Sequence, residues 1–587
     1  MPRPDHPRPV APVLLALAAV LLPWAAAPAR AQVGGADTAA GAAGGGSAAG
    51  GSAATGGAAS GATLPDPGLV PGGMATAPGE LPVRLGGFFD SPYGGPVPLG
   101  GTAPARSWTI QPSIGIQLLA TDNAFQGSDG ERQADFVTSI SPGLIVTGDS
   151  ARLQTSFRYS PSLQLYAASP RQDRIDHRFN GTAVATLLPG SVYLDMRASA
   201  AALPITGTRS ASDEATLPRN DRTQTFNFSL SPYYIQRYGG LATSIIGYAF
   251  QYADQGGRPA TLTPGGAPFF TPQDFMSHTG FASLRTGEDF GPLAVEARLS
   301  GTTYSGGGVL DGAHRALGIV ETRYAFNRVV TGLVEAGYED QEYGGVPPVR
   351  ISEAVWSVGL RLDPGPRSMI LLRYQRRNGY DAPRIDARVG IGARTVLSAS
   401  YSDEITTFAR LGADLLSQTS VDALGNPVDT RTGAPARDAS GGGLLSTQNG
   451  LFRSRRATAR LSQVWDRDTI SLELAREERI PISVQDNTTA FRQESHSIGA
   501  SWSHALSFLT SLTGSVRYGR TQSAGLGPDG DTYAVRATLA HRFNENLVGS
   551  LQYLLTNRST DLLAPGDRQA RGDTLQNAVI ATLRQSF

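Results

Sequence analysis

Residues 106–120, RSWTIQPSIGIQLLA, alternate between two kinds of side chain. The apolar set occupies the even positions: Trp108, Ile110, Ile114, Ile116 and Leu118. The small or polar set occupies the odd positions: Thr109, Gln111, Ser113, Gly115 and Gln117. Because successive side chains of a β-strand point to opposite faces, this stretch predicts a strand with one apolar face and one polar face.

The same alternation recurs along the chain, for example over residues 151–166, ARLQTSFRYSPSLQLY. Short connections such as 148–150 and 327–328 alternate with long polar ones such as 204–222 and 403–452. Outer-membrane barrels have short periplasmic turns and longer external loops, whereas soluble sandwiches follow no such rule. The sequence therefore predicts an all-β fold, a single transmembrane antiparallel β-barrel over 105–587 with about 22 strands, in a range of roughly 18 to 24.

The composition excludes several classes of chemistry. The 587 residues include no cysteine, and all 50 basic residues are arginine because the chain has no lysine. A P-loop, a Schiff-base lysine, a disulfide and a cysteine-ligated metal are therefore excluded. Acidic and basic residues are equal in number, 50 each, which gives no reason to expect a nucleic-acid partner. No cofactor is predicted.

The amino-terminal part of the chain differs from the rest. Residues 1–31 combine Arg3 and Arg8, an apolar stretch and the sequence Ala29-Arg30-Ala31, which is typical of a signal peptide cleaved before Gln32. Residues 32–104 are rich in Gly, Ala, Ser and Pro, so we expect a disordered periplasmic linker. The predicted location is the outer membrane of a Gram-negative bacterium.

The chain ends in VIATLRQSF, residues 579–587. Four apolar residues share one face of this predicted strand: Val579, Ala581, Leu583 and Phe587. A terminal aromatic residue after alternating apolar positions resembles the signal by which barrel-assembly machinery accepts its clients. We therefore expect this machinery and outer-membrane lipid as partners. Aromatic residues suited to the two membrane interfaces are Trp108, Phe136, Tyr234, Trp356, Trp465, Trp502, Tyr518, Tyr533 and Phe543.

Three early segments carry a resemblance to a known family: 121–125 (TDNAF), 135–166 and 177–198. A weaker similarity occurs at 398–407. They resemble outer-membrane proteins of the β-barrel porin-2 type, including members associated with exosortase (PEP-CTERM) and exopolysaccharide systems. The resemblance implies an envelope barrel that serves as an export pore for polysaccharide, with polysaccharide-export components as partners. It implies no active-site residues.

The leading functional prediction is a passive channel associated with exopolysaccharide export. A general or nutrient-uptake porin and a non-conducting surface structural barrel are the alternatives. The chain is not predicted to be an enzyme, because no nucleophile motif G-x-S-x-G and no metal motif H-E-x-x-H occurs. A hydrolase whose catalytic residues come from distant strands is the remaining enzyme alternative.

Arginine on the lipid face costs about 2 to 4 kcal/mol at the bilayer midplane, so strand arginines should face the lumen. The predicted lumen residues share the polar parity of their strands: Arg152, Arg158, Arg197, Arg298, Arg323, Arg361, Arg373, Arg388, Arg460, Arg517, Arg536, Asp195, Glu296, Glu321, Glu335 and Glu473. Two interpretations are open. The charges pair across strands and solvate the wall, or the arginine excess biases the channel toward anionic solutes or acidic sugar polymers.

Some local features have two interpretations or resist the barrel pattern. The connection 403–452 is either a constriction folded into the pore or a surface loop, and Phe408, Leu411 and Leu415 have helical spacing in it. Loop carboxylates at 122, 129, 131, 529 and 531 are either weak calcium ligands or simply solvated. Prolines at 112, 142, 161 and 232 lie inside predicted strands, and for those at 112, 142 and 232 we expect bulges near the periplasmic rim.

Overall fold

A computed structural model describes residues 108–128, 130–150, 152–205, 221–261, 266–365, 367–408, 419–421, 427–429, 445–524, 529–560 and 573–587. The predicted signal peptide, 1–31, and the predicted linker, 32–104, lie outside the described residues. In the described part of the chain, no helix is long and apolar enough to cross a membrane. The helical segments there include three 3-10 turns, Pro170–Gln172, Glu288–Phe290 and Gly308–Leu310.

The principal sheet consists of long antiparallel strands that follow one another in chain order. Their bounds are β1 Thr109–Thr121, β2 Asp135–Asp149, β3 Leu153–Tyr159 with Ser162–Tyr166, β4 Arg174–Asp176 with Phe179–Leu188, β5 Val192–Pro204, β6 Arg222–Arg237, β7 Ala242–Gln255, β8 Gln273–Thr286, β9 Leu293–Gly306, β10 His314–Ala325 and β11 Val330–Tyr343. The second half comprises β12 Val349–Gly365, β13 Ser368–Arg377, β14 Tyr380–Ile391, β15 Thr395–Thr407, β16 Leu451–Val464, β17 Asp468–Ser483, β18 Gln493–Ala505, β19 Thr510–Ser523, β20 Gly530–Arg542, β21 Leu547–Thr560 and β22 Thr574–Ser586.

The sheet closes on itself. Each strand pairs with the next, and the last strand pairs with the first, from Ser113 opposite Ser586 to Thr121 opposite Ala578. The sheet has 24 hydrogen-bonded segments, of which two are second halves of the interrupted strands β3 and β4, so the described ring has 22 strands. The prediction of a closed antiparallel barrel of about 22 strands is confirmed.

The connections alternate as the sequence predicts. At one end the connections are two to six residues long, for example 366–367 and 287–292. At the other end most are longer, up to the 43 residues between β15 and β16, although β13 and β14 are joined by Asn378 and Gly379 alone. Short turns mark the periplasmic end of outer-membrane barrels, so the longer loops lie at the outer end.

The barrel has its apolar side chains outside and its charges inside. On β11, Val334 and Tyr338 are 57% and 54% exposed, whereas Glu335 and Glu339, each the next residue along the strand, are 3% and 0% exposed. An apolar exterior of this kind is stable only against lipid. A closed barrel of this size with a lipid-facing exterior is a Gram-negative outer-membrane protein.

Exposed aromatic side chains ring the exterior at two levels. Near the periplasmic turns lie Trp108, Tyr234, Trp465, Trp502 and Phe543. Nearer the outer ends of their strands lie Phe136, Trp356 and Tyr533. Aromatic rings favour the two membrane–water interfaces, so these two levels bracket the membrane-spanning part of the wall.

The structure accommodates the strand prolines without the bulges we expect from the sequence. The register is the same on either side of each proline, although the pairing is interrupted at Pro161 and, toward β7, at Pro232. Continuing the β2–β3 register places Pro142 directly opposite Pro161, at a position where both residues would donate their N–H groups to each other. Two missing donors therefore fall on one residue pair. β3 is interrupted at this point, and β4 is interrupted beside it at His177 and Arg178.

Pro232 and Pro112 also lack an N–H group, and the structure accommodates each of them differently. Beside Pro232 the Tyr248 carbonyl accepts a hydrogen bond of 3.0 Å from the Ser231 hydroxyl, which replaces the N–H that proline lacks. Pro112 pairs with the carboxy-terminal residue Phe587, whose amide donates to the Pro112 carbonyl at 2.8 Å. The hydrogen bond that Pro112 cannot donate would lie at the end of the β1–β22 pairing, so only a terminal hydrogen bond is lost.

Candidate functional site

The lumen wall between β9 and β13 carries a buried cluster of ion pairs. Glu296, Glu321 and Glu335 lie directly opposite one another on β9, β10 and β11. Like charges in such positions repel each other, so the three glutamates require cations between them. Arginines from β9, β10 and β13 supply them.

Distances within this cluster show how the arginines bridge the glutamates. Arg298 Nη2 lies 3.1 Å from both Glu321 Oε2 and Glu335 Oε2. Arg373 Nη1 lies 3.0 Å from Glu321 Oε2, and Arg323 also pairs with Glu321. From the end of β13, Arg377 Nη2 reaches Glu335 Oε1 at 2.8 Å. The cluster unites six of the lumen residues predicted from sequence: Arg298, Arg323, Arg373, Glu296, Glu321 and Glu335.

The other predicted lumen residues lie apart from this cluster. Asp195 and Arg197 form a buried pair at 3.0 Å on β5, and Arg361 pairs with Asp363 at 2.9 Å on β12. Arg460 on β16 lies opposite Glu473 on β17. Four more share the lumen parity of β3, β14, β19 and β20: Arg158, Arg388, Arg517 and Arg536. Arg152 differs, because it lies exposed in the periplasmic turn between β2 and β3.

Several buried charges near the outer end were missed by sequence reasoning. Asp176 pairs with Arg174 at 3.2 Å and with Arg222. Glu477 pairs with Arg456 at 3.0 Å and with Arg479 at 2.8 Å. These residues lie in the outer parts of their strands, near the loops. Buried positions there depend on which loops cover them, and a single sequence does not show that.

The outer mouth is crossed by residues 445–450, which we call the mouth segment. It is the last part of the long connection between β15 and β16, directly before β16. All six of its residues are buried. On one side its Thr447 amide donates to the Ile205 carbonyl at 2.8 Å, and the Thr447 hydroxyl donates to the Pro204 carbonyl at 3.1 Å. Asn449 exchanges two side-chain hydrogen bonds with the backbone of Thr271, at 2.8 and 2.9 Å.

The other side of the mouth segment is attached to β17 and β18. Gln448 Nε2 donates to Gln493 Oε1 at 2.7 Å, and Arg479 Nη1 donates to the Ser446 carbonyl at 3.2 Å. Since β5 and β16 are eleven places apart in the ring of 22 described strands, they lie on opposite walls. The mouth segment therefore connects chain ends that come from opposite walls, the end of β5 with the following residue Ile205 on one side and β17 and β18 on the other.

Apolar loop residues pack around the mouth segment. Ile205, Phe269, Phe270 and Phe491 form one buried cluster, and the Phe491 amide donates to Gln448 Oε1 at 2.9 Å. A second cluster along the rim of β7 to β11 joins Phe275, Tyr304, Val309, Leu310 and Tyr343. Burial of this apolar surface stabilises the closed arrangement of the loops. Residues 445–450 of the 403–452 connection thus lie at the outer mouth, whereas most of the connection, including Leu411 and Leu415, lies outside the described residues. Its interpretation as a constriction stays a prediction.

The remaining predicted residues are placed as follows. Val579, Ala581, Leu583 and Phe587 are all exposed on the lipid side of β22. Among the described residues no group of His, Asp and Glu could hold a metal ion. Asp122 accepts two hydrogen bonds from Asn577 at 2.7 Å, and Asp531 accepts one from Tyr518 at 2.7 Å; position 129 lies outside the described residues.

Comparisons with known proteins give similarities of fold. No protein-family model matches the chain, and a search of curated proteins found no match. The ferric-catecholate import receptor Fiu from E. coli K12, open form, is 9% identical over 81% of each chain, with a TM-score of 0.43. The FrpB iron transporter from Neisseria meningitidis is 8% identical over 82% of this chain and 81% of that chain, with a TM-score of 0.44.

A third similar structure is OccK2 (OpdF) from Pseudomonas aeruginosa. It is 10% identical over 81% of this chain and 98% of that chain, with a TM-score of 0.34. These values describe barrels that the chain is similar to in fold.

Proposed function

We propose that the chain is an outer-membrane channel for polar solutes, that its cargo is an exported polysaccharide, and that the mouth segment closes its outer end. The observation that carries the proposal is the charged lumen wall inside a lipid-facing ring of 22 strands. Barrels of about 16 to 18 strands already enclose an aqueous channel, because side chains alone do not fill a ring of that size.

The lining of the lumen supports a sugar as cargo. On β18 and β19 nine of the fourteen lumen-facing positions carry hydroxyl side chains: Ser495, Ser497, Ser501, Ser503, Ser511, Thr513, Ser515, Thr521 and Ser523. A hydroxyl group both donates and accepts hydrogen bonds, as sugar hydroxyls do. A wall of this kind exchanges hydrogen bonds with a passing polysaccharide without holding it at one point.

Conductance in planar bilayers tests the channel and its closure together. The variant T447A/N449A removes three side-chain hydrogen bonds of the mouth segment. At about 1 kcal/mol for each bond, the closed state weakens, and we expect the open fraction to rise by on the order of tenfold or more. The control T488A/N557A removes the same two residue types from positions without a hydrogen bond to the mouth segment: Thr488 donates to the Gln485 carbonyl, and Asn557 lies on the outward face of β21.

The outcomes separate the functions. Rare openings in the wild type, frequent openings in T447A/N449A and wild-type behaviour in T488A/N557A agree with the proposal. If neither the wild type nor T447A/N449A conducts, the channel is wrong and a structural barrel is favoured. Liposomes containing T447A/N449A distinguish the cargo: passage of small sugars with exclusion of long oligosaccharides favours a general porin over an export channel.

A further inference from the structure

The exterior of the outer rim carries three basic residues side by side, which we call the basic row. Arg476 on β17 lies directly opposite His496 on β18, and His496 lies directly opposite Arg520 on β19. Because neighbouring strands lie about 4.8 Å apart, the basic row extends over about 10 Å. Charged basic side chains in such positions repel each other, so an anion bound across the basic row would lower their energy.

The acidic residues beside the basic row are less exposed than the arginines that contact them. The Arg476 side chain is 53% exposed, whereas Glu494, which it contacts at 2.6 Å, is 20% exposed. In the loop above β18, Arg492 is 53% exposed and pairs with Glu478, which is 5% exposed. His496 is exposed as well. The barrel therefore presents a basic surface here, although carboxylates lie beneath it.

An apolar row lies directly below the basic row. Two residues nearer the periplasm on the same three strands are Leu474, Ile498 and Tyr518, again opposite one another. Leu474 and Ile498 are exposed to the lipid. The Tyr518 ring centroid lies 4.9 Å from that of Tyr533, which belongs to the outer aromatic level. Since aromatic residues mark the membrane–water interface, the basic row lies at the height of the outer-leaflet head groups.

The opposite side of the barrel has the opposite charge at this height. On β7 and β8, eleven places around the described ring from β18 and β19, Asp254 and Asp274 lie directly opposite each other on the exterior. An anionic head group is therefore repelled from β7 and β8 and attracted to β17, β18 and β19.

We propose that the basic row binds the phosphate groups of a glycolipid in the outer leaflet, such as lipid A. A guanidinium presents a planar fork of N–H donors that matches a phosphate. The apolar row below contacts the acyl chains of the same lipid, and a soluble anion would lack that second contact. The inference goes beyond the channel function and does not depend on whether the barrel conducts.

Native mass spectrometry of the detergent-purified, full-length barrel tests the proposal. Bisphosphorylated lipid A and lipid A without its phosphates are added at equal concentration, and we expect the wild type to bind the phosphorylated lipid more tightly. In R476Q/R520Q the dissociation constant of that lipid rises roughly tenfold, since two partly screened charge contacts are lost. The control R350Q/R376Q removes two arginines from the exterior of β12 and β13 and keeps wild-type binding.

The control arginines differ from the basic row because acidic residues neutralise them. Arg350 lies directly opposite Glu342, and Arg376 contacts Glu353 at 2.8 Å. Heat-modifiable migration in gels shows that each variant is folded, and the comparison of the two lipids on the wild type needs no variant.

Three results would overturn the proposal. Equal binding of the two lipids by the wild type would show that phosphate is not recognised. Unchanged binding in R476Q/R520Q, or an equal loss in R350Q/R376Q, would show that the basic row is not the site. Binding of inorganic phosphate as tightly as lipid A would assign the basic row to a soluble anion.

Discussion

Glu335 illustrates how strongly single lumen residues are tied to their partners. Its carboxylate contacts Arg298, Arg373 and Arg377 and is almost completely buried. In E335Q these arginines lose a shared counter-charge, so we expect a loss of about 3 kcal/mol in unfolding free energy. Urea unfolding of the detergent-refolded barrel measures it. E342Q on the exposed face of the same strand is the control, and equal losses in both variants would contradict the ion-pair cluster.

Val334, next to Glu335, tests the opposite face of the same strand. Its side chain is exposed between the two aromatic levels, so an arginine there would enter the lipid interior. We expect V334R to lose about 2 to 4 kcal/mol in stability or to fail to insert into vesicles. V329R, in the adjacent periplasmic turn, should insert and unfold like the wild type. A fully tolerated V334R would show that this face does not contact lipid.

At the scale of the element, the interrupted strand β3 has a local cause. Pro142 and Pro161 meet at one hydrogen-bonded position, so neither residue supplies an N–H group. In P161V the new amide can donate to the Pro142 carbonyl, and we expect β3 to become continuous with a gain of about 1 kcal/mol. Hydrogen exchange at residues 160–163 checks it. Unchanged exchange together with lower stability would show that the interruption has another cause.

The alternation within strands predicts elements and faces but not loops. Residues 106–120 predict β1 and its lipid face because lipid and water lie on opposite sides of one strand. The glutamate–arginine cluster of β9 to β13 follows from the same parity rule. The alternation does not give the tight Asn378–Gly379 turn at the outer end, which is set locally by two residues with positive φ. It does not give the mouth segment either, because the position of that segment depends on contacts between loops far apart in sequence, such as Thr447 with Ile205.

At the scale of the whole molecule, a single seam decides whether the sheet is a barrel. The wall from β1 to β22 is built by neighbours in the chain, whereas the β1–β22 pairing joins its two ends. Without that seam the ring would present two open edges to the lipid, which the membrane interior does not tolerate. The lumen and the mouth segment both presuppose that this pairing is closed.

A disulfide across the β1–β22 pairing is the most direct test. Because the chain has no native cysteine, the two introduced cysteines are the only thiols that can react. Gln117 and Thr582 lie opposite each other on β1 and β22, so their Cα atoms fall within the range that a disulfide bridges. We predict that Q117C/T582C forms the bond in the folded barrel as completely as the control S550C/T582C, which joins the neighbours β21 and β22. A bond in the control and free thiols in Q117C/T582C would contradict a closed barrel.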